Sequence, residues 1–101
     1  MVLLRTVVIS IMSFLISACA SSPHDNFKAH MSHTVGKKID SSSTWARSDR
    51  FIRKETLPNG NIENEYEFRR TCMYFFEYEP SSLIIVGWRY EGKESDCEIA
   101  P

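Results

Sequence analysis

A chain of 101 residues carries 12 lysines and arginines against 13 aspartates and glutamates, a formal net charge of −1. That length suits one domain, and the absence of a basic excess argues against a nucleic-acid partner.

Residues 1–18 do not read as part of that domain. Arg5 is the single charge, an apolar run from Val7 to Ile16 follows, and the small residues Ser17, Ala18, Cys19 and Ala20 come next. A charged start, an apolar middle and a small-residue end make a secretory signal peptide. The apolar run is short for a membrane span, which takes about 20 residues.

The four residues Ile16-Ser17-Ala18-Cys19 resemble the lipobox of bacterial lipoproteins: an aliphatic residue, two small residues and a cysteine. Ile16 stands where leucine is commoner. The resemblance implies diacylglycerol on the Cys19 thiol and cleavage before Cys19. It further implies an anchor held by two or three acyl chains, which is stable where one chain is marginal. Ala20, in place of the aspartate that marks inner-membrane retention, implies the periplasmic face of the outer membrane. With Cys19 assigned to lipid, Cys72 and Cys97 pair without remainder, and an oxidising periplasm favours a disulfide between them. A loop of that size stabilises by roughly 3 to 3.5 kcal/mol in the chain-entropy model. A metal or redox pair is the rival reading, although the Cys-x-x-Cys spacing of such sites is missing.

The mature chain divides into a lipidated cysteine and tether over 19–26 and a small periplasmic domain over 27–101. Asp25 or Asn26 is the expected helix cap, and Phe27, Met31 and Val35 fall at four-residue spacing on one stripe. Gly36 ends the helix. Asp40 to Thr44 is a loop, and Trp45 an anchor for the segment that follows. From Phe51 the pattern turns to β, with strands over 51–57, 62–68, 71–78 and 83–90. Pro58-Asn59-Gly60-Asn61 is the first turn, with Asn-Gly suited to type I′. Arg69-Arg70 and Pro80-Ser81 are the next two turns. The expected fold is α+β: one helix on a four-stranded antiparallel meander, tied by the disulfide.

These turns fix an expected register, with Leu57 opposite Ile62, Lys54 opposite Glu65, Phe51 opposite Phe68 and Phe75 opposite Val86. One face then collects Phe51, Leu57, Ile62, Tyr66, Phe68, Met73, Phe75, Ile84, Val86, Trp88 and Tyr90 as the core. The other carries Glu63, Glu65 and Glu67 together with Cys72, Tyr74, Phe76, Tyr78, Leu83 and Ile85. Aromatics on an outer face require a cover or a partner. Either the Trp45 segment or the disulfide-pinned tail covers them, or Tyr74, Phe76, Tyr78, Leu83 and Ile85 form a partner surface.

No catalytic motif emerges. There is no Gly-rich phosphate loop, no Gly-x-Ser-x-Gly and no His-Glu-x-x-His, and Ser41 to Ser43 have no base nearby in sequence. His30 and His33 could share a helix face with His24 just upstream, but near a tether they read as solvated rather than as metal ligands. Glu63, Glu65 and Glu67 read as a solvated row paired with Lys54 and its neighbours.

Leu57 to Asn61, the strand Cys72-Met73-Tyr74-Phe75-Phe76 and the segment Ile85-Val86-Gly87-Trp88-Arg89-Tyr90 before Cys97 look like a type of short proteobacterial lipoprotein. The strand–turn–strand ending in Gly-Trp also resembles small α+β envelope lipoproteins of the BamE-like (SmpA/OmlA) kind. Those place two helices before the sheet and open the first with Gly-Met-Thr, which is missing here, so no binding residues carry over. The resemblance implies a non-enzymatic envelope accessory or scaffold that binds another envelope protein. A small-ligand- or metal-binding lipoprotein is the alternative. No cofactor is expected.

Overall fold

A computed structural model describes residues 22–100, so the expected leader and Cys19 lie outside the described residues. Ser22 starts the helix: its Oγ accepts the Asp25 N–H at 3.1 Å, meeting one of the amides that a helix start leaves without a partner. Pro23 at the first position has no N–H to satisfy. Helix α1 spans Pro23–Thr34. It buries Phe27 and Met31 completely, but its third inward residue is Thr34 rather than Val35. The helix stops one residue before the expected stripe closes, and Val35, in extended backbone, is 38% exposed.

The domain also begins earlier than expected. His24 Nδ1 lies 2.8 Å from the Cys97 carbonyl, Asn26 Nδ2 donates to Ile99 O at 3.0 Å, and Ile99 N–H donates to Pro23 O at 3.0 Å. Residues 22–26 are therefore fastened to the C-terminal tail and are not free tether.

Strands β1 (Phe51–Thr56), β2 (Ile62–Arg69), β3 (Cys72–Tyr78) and β4 (Ile85–Glu91) form one antiparallel sheet in the order β1-β2-β3-β4. Architecture and disulfide agree with the expected fold; the register does not. In the first hairpin Gly60 N–H donates to Leu57 O at 2.9 Å, Leu57 N–H donates to Asn61 O at 2.8 Å, and Gly60 has φ +89°. Pro58 presets the backbone of an ordinary turn, and Gly60 then takes the left-handed position of a bulge. Type I′ would need positive φ at Asn59 as well, and Asn59 does not have it. The pairing moves by one residue, so Thr56 faces Ile62, Lys54 faces Asn64 and Arg53 faces Glu65.

The second hairpin turns at Arg70-Thr71, with Arg69 facing Cys72 and Arg70 at φ +48°. An arginine in that conformation is uncommon, and the tail holds it there. Thr71 donates through N–H (3.3 Å) and Oγ1 (2.5 Å) to Asp96 Oδ2. Arg69 donates to Asp96 O and Glu98 O at 3.0 and 3.1 Å. Cys72 and Cys97, 25 positions apart, are disulfide-bonded beside the turn. The one-residue shift reverses the faces of β3. A longer turn in the third hairpin, with Leu83 N–H donating to Glu79 O at 2.7 Å and Leu83 at φ +64°, delays β4 to Ile85.

The inner face thus carries Tyr66 and Phe68 from β2, then Cys72, Tyr74, Phe76 and Tyr78 from β3, and Trp88 and Tyr90 from β4. Phe27 meets Phe68, Trp88 and Tyr90 edge-on at 5.2, 6.0 and 5.9 Å between ring centroids. Tyr66 and Tyr74 stack at 5.2 Å. Such pairs contribute about 0.5–1.5 kcal/mol each beyond area burial. The Tyr74 hydroxyl donates to Trp45 O at 2.8 Å, and burial pushes its pKa well above the ordinary tyrosine value. Trp45 is therefore an anchor, as expected: it pins the loop before β1 onto the sheet. The segment 36–39 fastens the end of the helix to the start of β4, through Gly36 N–H to Ile85 O (2.8 Å) and Ile85 N–H to Lys37 O (2.9 Å).

Candidate functional site

The expected partner surface does not exist as a surface. Tyr74, Phe76 and Ile85 are wholly buried, Tyr78 is nearly so, and Leu83 is half-buried against the same core. The reversal of β3 turned them inward, beneath α1 and the Trp45 loop. The residues that took their place outside are Met73 and Phe75. Phe75 is itself only 5% exposed, because the Arg89 guanidinium lies 3.7 Å over its ring centroid.

Arg89 also binds Glu63 through two hydrogen bonds of 2.9 and 2.8 Å and Glu91 through one of 2.6 Å. Arg53 binds Glu65 at 2.8 Å. Of the glutamate row, Glu67 makes no ion pair among the described residues; Glu63 and Glu65 are paired, but with Arg89 and Arg53 rather than Lys54. The reason is the shifted register, which puts Lys54 on the inner face opposite Asn64. Around Phe75 the outer face thus carries two sets of opposite charges, Arg53–Glu65 and Glu63–Arg89–Glu91, over one aromatic ring.

The histidines do not converge. His24 bridges the Cys97 carbonyl and Tyr90 hydroxyl, the latter at 3.3 Å. His30 lies edge-on to Trp45. Among the described residues no three His, Cys, Asp or Glu side chains come together as a metal site would require.

The inner face is covered unevenly. Helix α1 lies over β4 and reaches Phe68 of β2 through Phe27, and Trp45 brings the loop before β1 over Phe68 and Tyr74, but every residue of β1 is exposed. Where the cover ends, a cleft of about 530 Å³ opens between the loop and the sheet. Asn64 and Tyr66 on β2 and Phe51 at the start of β1 line it on the sheet side, and residues of the loop between Ile39 and Asp49, Asp40, Thr44 and Arg47 among them, line it on the other. The volume lies within the ~300–1,000 Å³ typical of small-molecule sites.

The rim is internally tied. Ser41 and Ser43 hydroxyls lie 3.0 Å apart, Thr44 Oγ1 donates to Ser41 O at 3.0 Å, and Ala46 N–H donates to Thr44 Oγ1 at 3.2 Å. Arg47 grips Asp49 through two bonds of 3.2 and 3.1 Å. Asp40 makes no ion pair among the described residues.

Asn64 is the one odd residue in this wall. It occupies an inward position of β2, 9% exposed, and its Nδ2 donates to the Tyr66 hydroxyl at 3.0 Å. Its Oδ1 is buried and accepts nothing. Leaving a buried acceptor unmet costs roughly 1–3 kcal/mol. Burial raises the Tyr66 pKa, partly offset by the bond from Asn64, so the wall presents a neutral phenol. The sequence signal for this site was a polar residue between Ile62 and Tyr66 on the core side of an otherwise alternating strand.

No protein-family model, curated protein or solved structure matches the chain. No helix among the described residues is long and apolar enough to cross a membrane.

Proposed function

We propose that this chain is a membrane-anchored envelope lipoprotein: exported, cleaved before Cys19, lipidated there, and displaying a non-enzymatic α+β domain on the periplasmic face of the outer membrane. The observation that supports the reading is the Cys72–Cys97 disulfide, a bond that belongs to oxidising compartments and leaves Cys19 as the one cysteine for lipid. The early start of the fold adds to it. Only Ala20 and Ser21 separate Cys19 from the Ser22 cap, so a lipid on Cys19 would hold the domain close against the headgroups. As an accessory or scaffold it would meet another envelope protein at the open edge of β1, where Phe51 and Ile52 are each 44% exposed, and not at the buried Tyr74 face. Labelling of growing cells with an alkyne palmitate tests the anchor. The wild-type chain takes up label and Cys19→Ser does not, with unprocessed precursor accumulating; equal labelling of both removes the reading.

A second reading, a small-ligand-binding lipoprotein, is favoured by one observation: the cleft of about 530 Å³ between the loop before β1 and the Asn64–Tyr66 stretch of β2.

A further inference from the structure

The turn between β1 and β2 holds a chemically reactive pair. Asn59 and Gly60 are both exposed, and nothing lies within 4 Å of the place a Gly60 Cβ would take. With no side chain on Gly60, its backbone nitrogen is open to close approach by the Asn59 side-chain carbon. Asn26, Asn61 and Asn64 instead precede Phe27, Ile62 and Glu65, whose side chains crowd that approach.

Hydrogen bonds hold the pair short of reaction. Gly60 N–H donates to Leu57 O at 2.9 Å, which engages the nitrogen that would attack. Asn59 Oδ1 accepts the Asn61 N–H at 3.0 Å, and Asn59 Nδ2 donates to Glu77 Oε2 at 3.1 Å. Asn61 Nδ2 donates to the same oxygen at 2.8 Å. The bond to the Asn61 N–H is local to the turn. Glu77 reaches the turn from β3, across β2, and its carboxylate makes the stronger, charge-assisted kind of bond.

We propose that Asn59 is a site of spontaneous deamidation and that Glu77 sets its rate. The Gly60 nitrogen loses its proton to solvent and bonds to Asn59 Cγ. The bond from Cγ to Nδ2 breaks, and ammonia leaves with a proton from water. Water then opens the cyclic imide at either carbonyl. The product is an aspartate, or an iso-linked aspartate whose backbone runs through the side chain. Only water is consumed, and nothing is oxidised or reduced.

The product acts on the fold. A carboxylate now stands where Nδ2 met Glu77, so two negative charges face each other. The iso-linked form also adds a backbone atom to a turn in which Gly60 holds φ +89°. Strand β1 has β2 as its single neighbour in the sheet, and each of its residues is exposed. Loosening the hairpin therefore frees β1 while β2 to β4 stay paired. Deamidation dismantles the same edge that the reading above offers to a partner; the step itself needs neither partner nor lipid.

Incubation of the full-length chain in detergent at mildly alkaline pH, followed by peptide mass spectrometry that separates the iso-linked form, tests it. Aspartate and iso-aspartate accumulate at position 59 and not at Asn26, Asn61 or Asn64. Glu77→Ala speeds the loss of Asn59 about tenfold, the factor that one charge-assisted hydrogen bond supplies to a barrier. Glu77→Gln keeps an acceptor without the charge and speeds it less. Amide hydrogen exchange of the incubated chain rises in β1 and stays unchanged in β3. If circular dichroism shows that Glu77→Ala does not fold, Glu77→Gln decides, by losing Asn59 faster than wild type. An intact Asn59 in every chain, a wild-type rate in the folded Glu77 variants, equal modification of Asn61 or Asn64, or unchanged exchange in β1 each overturns the proposal.

Discussion

Asp96 accepts both the hydroxyl and the amide of Thr71, at 2.5 and 3.3 Å, from across the 25-position disulfide loop. This pair closes the tail over the Arg70-Thr71 turn. Thr71 Oγ1 in turn accepts the Lys93 N–H at 3.0 Å, so one hydroxyl joins the turn, the end of β4 and the tail.

The pair carries a pH dependence. The Thr71 hydroxyl bond holds the Asp96 carboxyl below its ordinary value of 3.8, with the Thr71 amide, Arg70 and Lys93 acting in the same direction against desolvation. A depressed folded-state pKa stabilises the fold above the unfolded value, and the contribution is lost as pH falls through the folded value. The wild-type melting temperature therefore declines on acidification below about pH 4. Asp96→Asn keeps an acceptor but not the charge: it melts lower than wild type at neutral pH and shows a shallower acid decline. Melting curves followed by circular dichroism across this range check it; an acid slope identical to wild type would falsify the role given to Asp96.

How much of this was legible beforehand differs from strand to strand. The alternation in β2 was clear, because glutamates mark one face and Tyr66 and Phe68 the other. The cysteine count made the disulfide legible. The face of β3 was not, since Met73 and Phe75 are as apolar as the Tyr74 and Phe76 they alternate with. That face hung on which two residues turn the chain, and nothing local marks Arg70 for a positive φ. Its conformation is imposed by Asp96 and the tail, some 25 positions away in sequence. The first hairpin misled for a different reason: Asn-Gly suggests type I′, while Pro58 one residue earlier commits the backbone to another turn. The cleft was legible only as an anomaly, a lone Asn64 on the core side of β2, and its meaning depended on the loop that ends beside it.

Two glycines separate space from sequence. Gly92, just after β4, has φ +116°, and a Cβ there would run into the Thr71 carbonyl. Gly87, within β4, has no positive φ and open space where its Cβ would be. Gly92→Ala meets both a backbone penalty and a backbone clash at the clamped turn, and it lowers stability by ~2 kcal/mol or more. Gly87→Ala instead restricts the unfolded chain at a position that accepts a side chain, and it leaves stability unchanged or raises it by a few tenths of a kcal/mol, up to ~1. Urea unfolding of the two variants side by side decides this. Equal losses at both positions would show that Gly92 is not pinned against Thr71.

Arg89 explains why an aromatic on the outer face stays shielded from solvent. Its guanidinium roofs Phe75 and binds Glu63 and Glu91, and the bond to Glu63 is the main cause that raises its pKa above the ordinary arginine value. The side chain is nonetheless 48% exposed, so solvent screens much of the pairing. Arg89→Ala uncovers Phe75 and leaves two glutamates without their cation, a loss of about 1 kcal/mol. Arg89→Lys keeps the charge but not the two-pronged grip on Glu63 or the flat contact with the ring, and falls between. Raising the salt concentration narrows the gap between wild type and Arg89→Ala without closing it, because the contact with Phe75 is not purely ionic. Denaturant unfolding at low and high salt measures both parts; a gap that vanishes at high salt would assign the whole effect to the ion pairs and none to the ring.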